Sequence, residues 1–318
     1  MTNWKLTLAY DGSPYRGWQI QPNLPTVQGL LSDAIHRTTG ERVLPQGSGR
    51  TDAGVHALAQ VASFSLSAPI PAANLHRALN RCLPPSIRVL SVEPVPPTFH
   101  ARHSALRKTY EYRIFPLRAL SLEPRTSNLE PDLICPPILA PTVWPCPWPL
   151  DLAALNQAAA HVLGTHDFTS FAAADPDLSS REFSPFGGSR GLQPPENSQW
   201  IQGALAPGFL AQPTTSNQQP TTSIRTITHS EWRAAGDLLI YRVTADGFLH
   251  HMVRNLVGAF VQCGAHRLDP AAIPALLAAR NRALAGPTAP ASGLFLVSVD
   301  YPTLDHPVSG PNATIILP

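Results

Sequence analysis

The chain has 318 residues, 43% of them apolar and 14% charged, with a net charge of +2. That much apolar material argues for a sizeable core and against global disorder, and the length suits two domains or one large one. The 35 prolines follow no three-residue glycine period, which excludes collagen, and no apolar run approaches the roughly 18 residues of a membrane-spanning helix.

Residues 4–10 alternate apolar and polar side chains and read as a strand. This start has no signal-like apolar stretch, so a cytoplasmic protein without membrane association is expected. Thr26 is placed to cap a helix over 26–39, in which Val27, Leu30, Leu31, Ala34 and Ile35 recur at helical spacing. Residues 59–66 read as a strand. Residues 71–83 read as a helix with Leu75, Ala78 and Leu79 on its apolar face, stopped by Pro84 and Pro85. Strands follow at 87–95 and 106–115. The second half continues with a helix at 152–163, strands at 224–233 and 238–245 with hairpin spacing, helices at 249–263 and 270–279, and a strand at 294–299. Interleaved strands and helices in both halves predict an α+β protein of two similar subdomains, residues 1–105 and 106–303, with largely antiparallel strands and a tail at 304–318.

Two stretches stand apart. Residues 116–149 hold nine prolines and show neither helix nor strand period; this proline-rich insertion is expected to lie extended against the protein body. Residues 172–223 hold seven prolines among Ser, Thr, Gln and Gly, and read as a low-complexity, mobile insertion. Both are acidic on balance. Residues 1–113 carry 12 basic against 6 acidic residues, so the modest overall charge hides a basic first half, the sign expected of an RNA-binding surface. All the basic residues of the chain except Lys5 and Lys108 are arginines, whose planar fork suits phosphate.

Cys82, Cys135, Cys146 and Cys263 form no C-x-x-C pair and read as small buried hydrophobes or loop residues. The adjacent His250 and His251 raise the question of a metal. On a helix, neighbouring residues point about 100° apart, so the pair is not expected to share an ion, and no metal is expected. Arg254, at helical spacing from them, reads as an RNA-facing or packing residue.

The most informative segment is Gly47-Ser-Gly-Arg-Thr-Asp-Ala-Gly-Val-His56. Its glycines allow tight turns close to a ligand. Asp52, kept ionised by a neighbouring cation, can act as a nucleophile at a sugar carbon. The same loop could be a structural turn in which Arg50 bonds and Asp52 caps. His56 reads as a general acid/base or, preferably, a plain loop residue.

This segment resembles the active-site motif of the TruA family of tRNA pseudouridine synthases. The resemblance is long. Tyr10-Asp-Gly-Ser13 with Tyr15, Gly17, Trp18 and Gln19, then Phe99-His-Ala-Arg102 and Lys108-Thr-Tyr-Glu-Tyr-Arg113, follow the family order. So do His166-Asp-Phe-Thr-Ser-Phe171, Phe248-Leu-His-His-Met-Val-Arg-Asn255 and Gly293-Leu-Phe-Leu-Val297. The resemblance implies a pseudouridine synthase fold with helices flanking the sheets and a central RNA-binding cleft. It also implies isomerisation of uridine to pseudouridine at positions 38, 39 and 40 of the tRNA anticodon stem-loop, without a cofactor, by a homodimer. Asp52 would be the nucleophile, Arg50 the arginine that pairs with it and holds the flipped nucleotide, Tyr110 the aromatic against the target base, and Leu294 an apolar wall. Arg16, Arg77, Arg81, Arg102, Arg107, Lys108 and Arg254 are candidate RNA contacts. Attack on C1′ and passage through a glycal are both compatible with these residues. A catalytically silent RNA-binding protein of the same fold would be expected to lack Asp52 or Tyr110, and both are present. A glycoside hydrolase would need a second carboxylate about 5–10 Å from Asp52, and the loop offers none.

Overall fold

A computed structural model describes residues 1–118, 133–173 and 222–302. The tail 304–318, nearly all of the insertion at 172–223 and the middle of the proline-rich stretch lie outside the described residues.

In β1 (Thr2–Tyr10) the predicted alternation is literal: Trp4, Leu6, Leu8 and Tyr10 turn into the core while the residues between them are half-exposed. The helix α1 (Val27–Thr39) begins at Thr26, whose hydroxyl accepts from the Gly29 amide, and ends at Gly40 in the left-handed conformation. After the two-residue β2 (Gln46–Gly47) come β3 (His56–Leu66), α2 (Ala72–Cys82), β4 (Ile87–Val95) and β5 (Arg107–Pro116). The proline-rich stretch is not wholly irregular, contrary to expectation: β6 (Trp144–Cys146) runs parallel along the end of β5, from Ile114 to Pro116. Its Pro145 gives no alternation a pattern reader could detect, but Cys146 and the flanking Val143 are buried.

The helix expected at 152–163 is shorter, α3 (Leu152–Ala160), because the chain must turn into β7 (Gly164–Asp167). β8 (Ile224–Ala235) and β9 (Leu238–Ala245) form the expected antiparallel hairpin. The next helix, α4 (Met252–Gly264), begins three residues later than its apolar pattern suggests. A single-turn 3₁₀ segment, Pro270–Ala272, leads into α5 (Ile273–Ala279), and β10 (Leu294–Asp300) follows.

The strands form one sheet in the order β4-β1-β3-β10-β5-β9-β8-β7, with β2 on β3 and β6 on β5. The two halves of the chain therefore share a sheet, joined by β10. That strand runs parallel to β3 through Phe295–His56 and Leu296–Ala57, and antiparallel to β5 from Leu294–Tyr112 to Asp300–Arg107. The fold is α+β and largely antiparallel, as expected. One large cluster unites Leu6, Leu31 and Leu75 of the first half with Tyr112, Tyr241 and Phe260 of the second; a smaller one holds Val61, Val95, Phe99 and Ala101. Cys146 and Cys263 are buried, and all four cysteines are free thiols. Among the described residues no helix is long and apolar enough to cross a membrane.

Candidate active site

Asp52 lies in the loop between β2 and β3, and buried polar groups pin that loop on its β2 side. The Ser48 amide donates to the Val61 carbonyl (2.8 Å) and the Ser48 hydroxyl to Gln60 Oε1 (2.6 Å). Gln60 Nε2 in turn donates to the Gly49 carbonyl (2.9 Å). Gln60 is fully buried, so these bonds have no water to compete with them. Just before Asp52, the Thr51 hydroxyl meets the Tyr10 hydroxyl (2.8 Å), and the Thr51 carbonyl accepts from the Trp18 amide (3.0 Å). Gly17 makes this approach possible: its φ is +88°, and a Cβ there would stand 2.6 Å from the Thr51 carbonyl oxygen.

The opposite side of Asp52 comes from the start of α4. His250 Nε2 lies 3.5 Å from Asp52 Oδ1, and His251 Nε2 lies 3.2 Å from Oδ2. Arg254 Nη1 donates to Oδ2 at 3.0 Å. The expectation that adjacent histidines diverge does not hold, because they precede the helix rather than ride on it. His251 sits in the left-handed region (φ +59°), and this turn brings the two rings to 4.0 Å between centroids, both facing Asp52. Arg254, one turn on, is held by its own backbone neighbourhood: its Nε donates to the Ala289 carbonyl and its carbonyl accepts from the Ala289 amide.

Burial by itself would raise the Asp52 pKa, but the His250 hydrogen bond, the His251 charge and the Arg254 guanidinium outweigh it and hold the carboxyl below its ordinary value. His251 is itself lowered, chiefly by burial, against the pull of Asp52. Arg254 supplies a guanidinium charge beside Asp52 that does not depend on a histidine proton. One ligand atom from each of Asp52, His250 and His251 lies within 4.8 Å of the others, a spacing that could admit a metal ion. Arg254 already occupies one carboxylate oxygen, however, and would repel a cation there.

Arg254, from the other half of the chain, pairs with Asp52; Arg50 is exposed on the loop two residues before Asp52. Tyr110 is buried on β5, its ring edge-on to Phe248 at 5.0 Å, and its hydroxyl pKa is raised by burial, by Tyr10 and by the nearby Asp52 charge. Leu294, buried at the start of β10, shares the same apolar cluster. His56 is not the loop residue preferred from the sequence: it opens β3 and is buried, its Nδ1 accepting from the Gly12 amide (3.1 Å) and its ring stacked on Phe295 at 4.6 Å. Arg16, Arg102 and Arg107 are exposed. Arg77 and Arg81 are exposed on α2, which packs on the outer strand β4, with β1 between that strand and β3. Lys108 turns inward, its Nζ donating to the Ser48 carbonyl at 2.6 Å.

A family model described as tRNA pseudouridine synthase matches residues 7–104 and 209–302, which brackets the Asp52 loop, the Phe99 block and all of α4 and β10. The chain belongs to the tRNA pseudouridine synthase family. Curated relatives agree along their length. It is 40% identical to a tRNA pseudouridine synthase A of Solibacter usitatus over 298 residues, covering 93% of this chain and 98% of that one. It is 42% identical to the same-named protein of Moorella thermoacetica over 299 residues, again 93% and 98%. It is 38% identical to that of a Rhodopseudomonas palustris strain over 302 residues, 95% of this chain and all of the relative. Members of this family are isomerases acting on tRNA.

Proposed function

We propose that this pseudouridine synthase isomerises uridines 38, 39 and 40 in the tRNA anticodon stem-loop, with Asp52 as its nucleophile. Asp52 as the nucleophile is supported by a mostly buried, ionised carboxylate held by Arg254 and two histidines; positions 38, 39 and 40 follow from the resemblance to the TruA family. The uracil N1–C1′ bond breaks, the detached base rotates, and a C5–C1′ bond forms. The C5 proton is lost and N1 gains one, so the reaction balances without any cofactor. An ionised Asp52 serves either course, as nucleophile at C1′ or as base on the way to a glycal.

A uridine within a stem must leave its stack to reach Asp52. Tyr110 offers a ring for the extruded base, and stacking of this kind is worth about 1–3 kcal/mol per base. Arg50, two residues before Asp52, helps hold the flipped nucleotide open in this reading. Leu294 closes the pocket, and Arg16, Arg102 and Arg107 contact the backbone. The enzyme works as a cytoplasmic homodimer in this reading, with one tRNA reaching both subunits.

The test is incubation of the purified protein with unmodified tRNA transcripts carrying uridine at 38, 39 or 40, followed by carbodiimide mapping. Pseudouridine at those positions from wild type and none from Asp52→Ala is the expected outcome. No product from wild type, or undiminished product from the variant, would sink the proposal.

A further inference from the structure

We infer that Lys108 is a positioning residue for the catalytic loop, holding it through the Ser48 carbonyl, and is not a phosphate contact. The inference rests on Asp52 being the reacting group. Ser48 has three polar handles, and each is engaged: its amide by Val61, its hydroxyl by Gln60 and its carbonyl by Lys108. The first two come from β3. The third comes from β5, two residues before Tyr110, so Lys108 and Tyr110 share a strand and a face. One strand thereby carries both the aromatic proposed to receive the base and the cation that fixes the loop holding the carboxylate. Their spacing relative to each other is set by the β5 backbone.

The setting of the ammonium fits this role. Burial, with Arg102 and Arg225 as its charged neighbours, pushes the Lys108 pKa down to about 8. A side chain reaching for phosphate would sit in solvent instead. Gly49 leaves it room, since a Cβ at that position would stand 3.0 Å from Nζ and 3.9 Å from Cε. The bond is short and charge-assisted, and such bonds are about twice as strong as neutral ones. Losing it frees the loop four residues before Asp52, where a displacement of about 1 Å can cost about 100-fold in rate.

The two roles separate cleanly in measurement. Lys108→Met, Lys108→Arg and wild type are compared by single-turnover rate at saturating anticodon stem-loop RNA, by RNA affinity, and by the dependence of that affinity on salt. For Lys108→Met we expect the saturated rate to fall about 10–100-fold, the equivalent of one charge-assisted hydrogen bond. Affinity should stay within about twofold and the salt slope should not change, because no phosphate contact is lost. Lys108→Arg, which keeps a donor and a charge, should recover much of the rate. Gly49→Ala, whose Cβ would stand 3.0 Å from Nζ and shift the ammonium by a few tenths of an ångström, should lower the rate at unchanged affinity by less than Lys108→Met and gives a second route if Lys108→Met folds poorly. Weaker binding with a salt slope reduced by about 0.7–0.9 and an unchanged saturated rate would make Lys108 a phosphate contact and overturn the inference. So would full activity in both Lys108→Met and Gly49→Ala. If wild type itself makes no product, the proposed reaction fails instead, and the two failures are distinct.

Discussion

Asp52 stays ionised because three neighbours oppose the effect of its burial, and Arg254 does so with a charge that does not depend on a histidine proton. The sign of a pH effect follows. A carboxyl held below its ordinary value is fully ionised above that value, and activity that needs the anion is lost only as pH falls through the lowered pKa. Arg254→Met removes the cation and leaves the burial, so the pKa should rise. The acid limb of the pH–rate profile should then move to higher pH, with a lower rate at its plateau; an unmoved limb would remove Arg254 from the electrostatics of the site. Tyr110→Ala should lower turnover severely while Tyr110→Phe, which keeps the ring, retains more; equal rates for all three would return Tyr110 to a purely structural role. At this scale the residues alone left a structural turn at Asp52 and a core aromatic at Tyr110 open, and only the resemblance singled the two out as a site. The contact of Arg254 with Asp52 was not legible. Arg50 is near in sequence and Arg254 is 202 residues away, and no local pattern reports a contact of that range.

The element that delivers Arg254 is α4, and its placement depends on a close approach rather than on periodicity. One turn beyond Arg254, a Cβ on Gly258 would meet the Pro287 carbonyl oxygen at 1.8 Å. The segment after α5 therefore lies directly on the helix, which lets Ala289 grip Arg254 from both sides. Gly258→Ala should cost stability by about 1–3 kcal/mol, the usual penalty of overpacking, and depress activity further by shifting Arg254. Urea unfolding and the assay together check this, and a variant with wild-type stability and rate would contradict it. The apolar pattern placed α4 correctly in the chain but ran it back to residue 249. Phe248 and Leu249 are partly buried against the core, so they satisfy the pattern without being helical, and the left-handed His251 cannot be read from spacing. β6 and β7 were missed for a simpler reason: three and four residues are too few to show a period.

For the whole molecule the decisive fact is the sheet order. β3 and β5, which bound the catalytic loop and carry Tyr110, are not hydrogen-bonded neighbours; β10 lies between them. The α+β class and the strand inventory were legible because long strands alternate. The joining of both halves through two parallel residue pairs was not, since it depends on pairing between distant segments. Chemical unfolding should therefore be one cooperative transition, and a chain ending at residue 293 should fail to reach the native state by circular dichroism. Two separated transitions, or a folded truncation, would show that the halves are independent. The basic first half, 12 basic against 6 acidic residues over 1–113, should make RNA affinity fall steeply as salt rises.

The central position of β10 also bears on what an incomplete chain lacks. Residues 46–56 and 107–116 take their spacing from Leu294–Asp300, which lies hydrogen-bonded between their strands. A chain that stops short of β10 therefore lacks the strand that sets the distance between the Asp52 loop and Tyr110.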